Sequence, residues 1–308
     1  MSLKNKYLIV ISGPTAIGKT KMAIAIGQAF KSDIISADSR QIYQKMTIGT
    51  AVPDSSELAS ARHHFIQEVS LDDHYHVGRY EMEVIEFLKT YFQSNDIAIL
   101  CGGTGLYIKA VLYGMDEIPH ISTAVKEQVS LLYEEQGLTG LVEKLKVVDP
   151  EILTTIDHNN LHRVMRALSI RLETGKSWNS FRTNAAKERP FIPIKIRMEQ
   201  PREDLYRKIN DRVDTMMDHG LLEEVRSLLA YRDHAPMHTV GYKELLQYID
   251  GVLTLEEAVE LIKRNSRRYA KRQMTWFRNQ DHFQPFSRTD LEGITAYIQS
   301  QINLSENQ

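Results

Sequence analysis

The sequence predicts an α/β protein, a parallel sheet with a helical domain inserted into it. Three observations carry that expectation. Short apolar runs at Tyr7–Ser12, Asp33–Ala37 and Ile97–Cys101 read as buried strands, and segments of helical apolar spacing alternate with them. The first run leads directly into Gly13-Pro14-Thr15-Ala16-Ile17-Gly18-Lys19-Thr20, which fits G-x-x-x-x-G-K-[ST] at each fixed position. From Gly114 to about Pro193 strand-like runs vanish, and a strand returns at Phe191–Met198. The expected architecture is therefore a P-loop NTPase-like core from residues 1–115 and 194–308, with a helical insertion at 116–193.

The glycine-rich segment sits in the right context. Met22, Ile24, Ala25, Ile26 and Ala29 give the residues from about Gly18 to Phe30 a helical pattern. Strand, loop and helix together aim backbone N–H groups and a helix N-terminus at an anion. Lys19 adds a mobile positive charge, and Thr20 a hydroxyl for phosphate or Mg²⁺. Residues 13–20 are thus expected to bind a phosphate or diphosphate. The second strand runs into Asp38-Ser39-Arg40-Gln41-Ile42-Tyr43, and the third into Gly102-Gly103-Thr104-Gly105-Leu106-Tyr107. Residues just beyond strand C-termini face the ligand crevice of an open α/β sheet. Small residues in the second glycine loop permit close approach of a ligand, and Thr104 offers a hydroxyl. Asp38 is the only aspartate after the P-loop that follows a clean apolar run. It fits two roles from the residues alone, a metal ligand in a kinase-like site or a base for another nucleophile.

Composition narrows the class. The chain has 308 residues, 42% hydrophobic and 25% charged, enough for one large domain or two. No stretch reaches the ~18 apolar residues of a membrane span, and no signal-peptide pattern is present. The single cysteine, Cys101, rules out an intrachain disulfide and suits a reducing cytoplasm. The net charge of −2 does not announce a nucleic-acid binder, but a net charge near zero can hide a local basic footprint, and the distribution is more telling. Leu261–Gln280 has no acidic residue, while Lys263, Arg264, Arg267, Arg268, Lys271, Arg272 and Arg278 crowd into it. Tyr269, Trp276 and Phe277 interleave with them, as aromatic groups that stack on unpaired bases would, or as a buried helix face would.

Further elements follow by pattern. Helices are expected at Val77–Gln93, Thr123–Gln136, Leu138–Lys146, Asn160–Thr174 and about Arg202–His219, the last stopped by Gly220. Thr254-Leu255-Glu256-Glu257 is a capping box opening a long helix to about Arg278. Ser305–Gln308 are expected to fray. His63, His64, His74 and His76 lack partners at zinc spacing, so no metal site is expected there. His162, Arg163 and Arg166 form a basic cluster on one helix, a spacing that a solvated face would share.

Taken together, these motifs resemble the tRNA dimethylallyltransferase (tRNA isopentenyltransferase) family. The resemblance rests on residues 13–20, Asp38-Ser39-Arg40-Gln41-Ile42-Tyr43, Ile48-Gly49-Thr50-Ala51, Gly102-Gly103-Thr104-Gly105-Leu106-Tyr107, Arg163-Val164-Met165-Arg166-Ala167-Leu168, Val240-Gly241-Tyr242-Lys243-Glu244 and Lys271-Arg272-Gln273-Met274-Thr275-Trp276-Phe277-Arg278, in the family's order across nearly the whole chain. Two stretches depart from it. Val52 stands where many members carry Lys, and Asp157-His158-Asn159-Asn160-Leu161-His162 differs from the commoner Asn-Asp-x-x-Gln lead.

The resemblance implies transfer of a dimethylallyl group from dimethylallyl diphosphate to N6 of the adenosine 3′ of a tRNA anticodon, with Mg²⁺ and with diphosphate released. It implies Asp38 as general base, and Thr104 and Arg212 binding the diphosphate with Lys19 and Thr20. It assigns tRNA contact to Asp38, Ser39, Arg40, Gln41, His162, Arg163, Arg166, His238, Gly241, Tyr242 and Lys243. The basic run adds Arg268, Lys271 and Arg272 to those candidates. Partners are then the anticodon stem-loop and the prenyl donor, with no membrane and no obligate protein partner. Two rival readings fit some of the same residues, a small-molecule P-loop kinase and a non-catalytic RNA-binding protein with a degenerate P-loop.

Overall fold

The computed structural model describes residues 3–183, 185–280 and 282–307. The strands among them are β1 (Tyr7–Ser12), β2 (Ile34–Ser36), β3 (His63–His64), β4 (Ile97–Gly102), β5 (Ile192–Glu199) and β6 (Gln284–Ser287). They form one parallel sheet in the order β3-β2-β4-β1-β5-β6. In chain order the helices are α1 (Lys19–Phe30), α2 (Ser55–Ser60), α3 (Val77–Tyr91), α4 (Gly105–Tyr113), α5 (Thr123–Val148), α6 (Leu161–Thr174), α7 (Arg202–Asp218), α8 (Leu221–Ser227), α9 (Tyr242–Ile249), α10 (Leu255–Arg278) and α11 (Leu291–Glu306).

The central strand explains the layering. Every residue of β1 is buried, as a strand covered on both faces must be. Leu8 and Val10 join a core with Val84, Leu88, Ile108, Leu245 and Ile262, while Tyr7, Ile9 and Ile11 join a second core with Ile26, Ile209, Ile294 and Ile298. Period-two alternation along β1 thus selects which helices cover each face. Helix α10 belongs to both cores, through Ile262 and Phe277 on one side and Ala270 on the other. That position brings a single long helix past the C-terminal ends of β1 and β4.

Residues up to Tyr113 and from Glu188 onward form one compact unit, and Gly114–Lys187 form a second. The second unit has its own core, with Val129, Leu141 and Leu145 of α5 packed on Val164, Ala167 and Leu168 of α6. α5 is two helices joined at Gly137, whose φ of 63° and ψ of −165° break the spiral where the sequence pattern breaks. The Glu173 carboxylate accepts from the Ser122 N–H at 2.9 Å and hydroxyl at 2.7 Å, tying α6 to the start of α5. On leaving the insertion the chain is seated at once in the first unit. Arg189 donates to Glu81 and to the Ala110 carbonyl, each at 2.7 Å.

One expectation is corrected outright. Ser305 and Glu306 do not fray: both are helical, and Glu306 accepts from the Lys4 N–H at 2.8 Å, the Asn5 N–H at 3.0 Å and the Tyr7 hydroxyl at 2.7 Å. Gln308 lies outside the described residues. β6, α2, α8 and α11 were not expected. The α11 signal is present in the sequence, with Ile294, Ile298 and Ile302 at i, i+4, i+8 and Asp290 as N-cap, its carboxylate accepting from the Gly293 N–H. β6 is four residues on a sheet edge, too short for a periodic signal.

Candidate active site

The P-loop takes its shape from backbone that few residues tolerate. Gly18, at the N-cap of α1, has φ 97°, and Ala16 sits at φ 63°, a left-handed conformation uncommon for a residue with a Cβ. A Cβ on Gly13 would lie 3.1 Å from the Met198 carbonyl oxygen, so glycine is needed for the loop to pass β5. In this conformation Lys19 folds back to donate to the Pro14 carbonyl at 2.8 Å. Burial pushes its ammonium down to about 8, with Arg212 adding repulsion and Asp38 working the other way.

The second wall comes from the ends of β2 and β4. These strands are neighbours, and their glycine and aspartate loops interlock. A Cβ on Gly102 would lie 2.2 Å from the Ala37 carbonyl oxygen, so only glycine lets the two backbones pass. The Thr104 N–H donates to that carbonyl at 3.2 Å, and the Thr104 hydroxyl accepts from the Ser39 N–H at 3.1 Å. Asp38 Oδ1 accepts from the Arg40 N–H at 2.9 Å, an Asx turn that fixes the carboxylate.

The cavity between these loops is lined by Lys19, Thr20, Asp38, Cys101, Arg212 and Tyr269, with apolar patches from Ile209, Val213, Met216 and Ile262. Arg212, on α7, donates to the Thr15 hydroxyl at 3.4 Å. Burial lowers its pKa, and Asp38 partly offsets that. Burial also pushes the Cys101 thiol up to about 12, which keeps it neutral at physiological pH. The arrangement puts two cations, a hydroxyl and a carboxylate around one pocket with an apolar wall. It can hold a diphosphate at the cationic end and an apolar group beside it, with a proton acceptor in reach.

Not every residue expected at the site faces the cavity. Arg40 and Gln41 line it but spend their side chains inside the protein. The Arg40 guanidinium donates to the Val240 carbonyl at 2.8 Å and the Gly49 carbonyl at 3.3 Å, and Gln41 donates to the Ala51 carbonyl at 2.8 Å. Tyr242 is 0% exposed. Its hydroxyl donates to Glu224 at 2.6 Å, and its ring occupies the space a Gly49 side chain would need. Gly241, also lining the cavity, is buried with φ 101° and caps α9, while His238 and Lys243 are exposed. His162, Arg163 and Arg166 are exposed on α6 in the second unit.

Helix α10 joins the cavity to the surface. Arg264, Arg268, Lys271 and Arg272 are exposed, and among the described residues none has a carboxylate within ion-pair distance. Arg268, Lys271, Arg272, Thr275 and Trp276 line an open groove. Lys263 and Arg267 turn inward instead, to Asp214 at 2.7 Å and Asn210 at 2.6 Å. The opposite face carries Gln273, which accepts from the Thr15 N–H and donates to the Gly103 carbonyl, each at 2.9 Å.

Gln273 and Glu224 are residues that the sequence reasoning did not assign to the site. Glu224 accepts from the N–H groups of Thr47 at 3.0 Å, Ile48 at 2.7 Å and Gly49 at 3.0 Å, as well as from Tyr242. Gln273 lies inside one of the motifs; Glu224 has no local signal, since its three backbone partners, Thr47, Ile48 and Gly49, are some 175 residues distant in sequence.

The described residues contain no group of three or more His, Cys, Asp and Glu side chains that could hold a metal ion. Among them, no helix is long and apolar enough to cross a membrane.

Comparison with known proteins identifies the family. The family described as IPP transferase matches residues 41–280, a span that excludes the P-loop itself. A tRNA dimethylallyltransferase of Christiangramia forsetii is 46% identical over 300 residues, covering 97% of this chain and 99% of its own length. One from Cytophaga hutchinsonii is 41% identical over 302 residues, covering 98% and 99%. Among solved structures, the full-length tRNA isopentenylpyrophosphate transferase of Bacillus halodurans superposes with a TM-score of 0.73 at 33% identity, covering 98% of each chain. A eukaryotic dimethylallyltransferase acting on tRNA gives a TM-score of 0.78 at 25% identity, over 96% of this chain and 77% of its own. This chain therefore belongs to the IPP transferase family, the family of the tRNA dimethylallyltransferases.

Proposed function

We propose that the protein transfers a dimethylallyl group from dimethylallyl diphosphate to N6 of the adenosine 3′-adjacent to the anticodon of a tRNA. The observation that carries this reading is one cavity holding Lys19, Thr20 and Arg212 beside Asp38, closed by a helix whose outer face is basic. In the reaction the allylic C–O bond breaks, diphosphate departs with its electron pair, and a C–N bond forms to the adenine amine. Lys19, Arg212, Thr104 and the loop amides stabilise the charge that develops on the leaving group. Asp38 orients the weakly nucleophilic amine and takes its proton. The adenine leaves the anticodon-loop stack to reach the cavity.

Mg²⁺ fits the donor set. The hydroxyl of Thr20 and the carboxylate of Asp38 line the same pocket, which suits an ion that keeps several waters and takes its other ligands from substrate phosphates. Thr20 would hold it, and when bound it would neutralise diphosphate charge. The basic face of α10, with Ser39, His238 and Lys243, and the insertion's His162, Arg163 and Arg166, would engage the tRNA. The buried Tyr242 would instead shape the loop beside it.

The integration of α10 into the P-loop disfavours a small-molecule kinase, for which a basic terminal helix would be dispensable. Incubation with labelled dimethylallyl diphosphate and tRNA should move label into tRNA and release diphosphate. Steady ADP release from ATP with a small acceptor, and no labelled tRNA, would reject the proposal.

A further inference from the structure

We propose that Gln273 is a positioning residue that sets the donor loop and the Thr104 loop in one arrangement from the basic helix. The inference rests on the prenyl-transfer reading above. Gln273 is only 7% exposed, and both ends of its amide are used. Its Oε1 accepts from the Thr15 N–H and its Nε2 donates to the Gly103 carbonyl. One side chain therefore spans the loop after β1 and the loop after β4. The fit is tight, since a Cβ on Gly103 would lie 2.4 Å from Gln273 Nε2.

What the two loops carry gives the contact its meaning. Fixing the Thr15 peptide withdraws its N–H from the diphosphate and fixes the turn into Ala16, whose φ is 63°. It also holds the Thr15 hydroxyl where Arg212 donates to it. Fixing Gly103 holds the next residue, Thr104, whose hydroxyl accepts from the Ser39 N–H beside Asp38. The leaving-group end and the base end of the cavity are thus referenced to the same amide. Tyr269 and Trp276, one turn to either side of Gln273, continue this inward stripe. Tyr269 lines the cavity, and the Trp276 ring fills the space a Gly105 side chain would need. Between them Lys271, Arg272 and Thr275 face outward. The same turn of helix that presents charge to RNA therefore holds the reacting groups in register. A misplacement of an ångström or so in such a site costs heavily in rate.

The test compares Gln273→Met, which keeps length without hydrogen bonds, with Gln273→Glu, both assayed well below their melting temperatures. For Gln273→Met, kcat should fall about tenfold or more and inorganic diphosphate should bind several-fold more weakly. Affinity for an anticodon stem-loop RNA should stay within about threefold. A glutamic acid reproduces both hydrogen bonds only when protonated, because the neutral carboxyl both accepts and donates. The kcat of Gln273→Glu, taken relative to the parent at each pH, should therefore rise as pH falls from about 8 to about 6, the range a buried carboxyl reaches. A structural filler would give no such pH-dependent recovery. Parental kcat and diphosphate affinity in Gln273→Met, or a flat relative profile in Gln273→Glu, overturns the proposal. A parent protein that transfers no label would reject the reaction reading instead, and diphosphate affinity of the variants would still decide the clamp.

Discussion

At the scale of single residues, the site works by contrasts in burial and charge. Lys19 and Asp38 share a cavity, and burial there moves the protonation of the lysine into the working range. Its pKa in the unliganded protein is near 8, and diphosphate can only bind productively to the ammonium. Donor affinity should therefore hold below pH 8 and fall as pH rises through it, with a proton taken up on binding in that window. Titrating inorganic diphosphate between about pH 7 and 9 checks this, and Lys19→Ala should remove the step and cut kcat/KM about a hundredfold. Asp38→Asn keeps the Asx turn to the Arg40 N–H but removes the proton acceptor. Its kcat should drop by roughly 10²–10⁴ with donor and RNA affinity changed far less. Recovery at high Mg²⁺, with weakened donor binding, would make Asp38 a metal ligand instead. The residues that hold these groups in place were harder to read. The P-loop and Asp38 announce themselves because their chemistry is encoded in consecutive residues. Glu224 organises Thr47, Ile48, Gly49 and Tyr242 from a distant helix, and no local pattern marks it.

At the scale of elements, α10 joins two tasks that a sequence shows only as one basic run. Its charges divide by face: Lys263 and Arg267 are spent on α7, while Arg268, Lys271 and Arg272 remain exposed beside a groove. Replacing those three by alanine should weaken binding of an anticodon stem-loop and flatten the dependence of log affinity on log salt, because fewer counterions are released. Diphosphate binding should remain at the parental value. An unchanged salt slope would mean that the face is merely solvated. The strands and long helices were legible because burial imposes period two or 3.6 on them, as β1 and α10 illustrate. The C-terminal helix carried the same signal at Ile294, Ile298 and Ile302, and its far end is fixed by Glu306. The Tyr7 hydroxyl and two backbone N–H groups hold the Glu306 carboxyl below its ordinary range. Such a group stabilises the fold above the unfolded carboxylate pKa and loses that contribution as pH falls through its folded value. The melting temperature of Glu306→Gln should accordingly approach that of the parent at acid pH and fall below it near neutrality.

At the scale of the whole molecule, the insertion is separable in sequence, in core and in expected task. Its buried residues pack on one another, and the sheet unit keeps its own two cores. Gly114 and Lys187, its first and last residues, are in contact, since a Cβ on Gly114 would lie 2.6 Å from the Lys187 side chain. A short linker can therefore join Tyr113 to Glu188 without straining either end. Arg189 holds the re-entering strand through Glu81 and the Ala110 carbonyl, both inside the sheet unit, so that anchor survives the excision. The excised protein should fold cooperatively and bind inorganic diphosphate with parental affinity, because Lys19, Thr20, Arg212 and Gln273 all lie in the retained unit. Its affinity for tRNA should fall, as the exposed His162, Arg163 and Arg166 are lost, and the salt dependence should become shallower. In the intact chain, Arg163 and Arg166 replaced together by alanine should reproduce part of that loss without touching donor affinity. Transfer of the prenyl group to tRNA at the parental rate by the excised protein would show that the insertion serves neither recognition nor catalysis. Loss of diphosphate binding would show that the P-loop depends on the insertion for its shape, against the independence of the two cores.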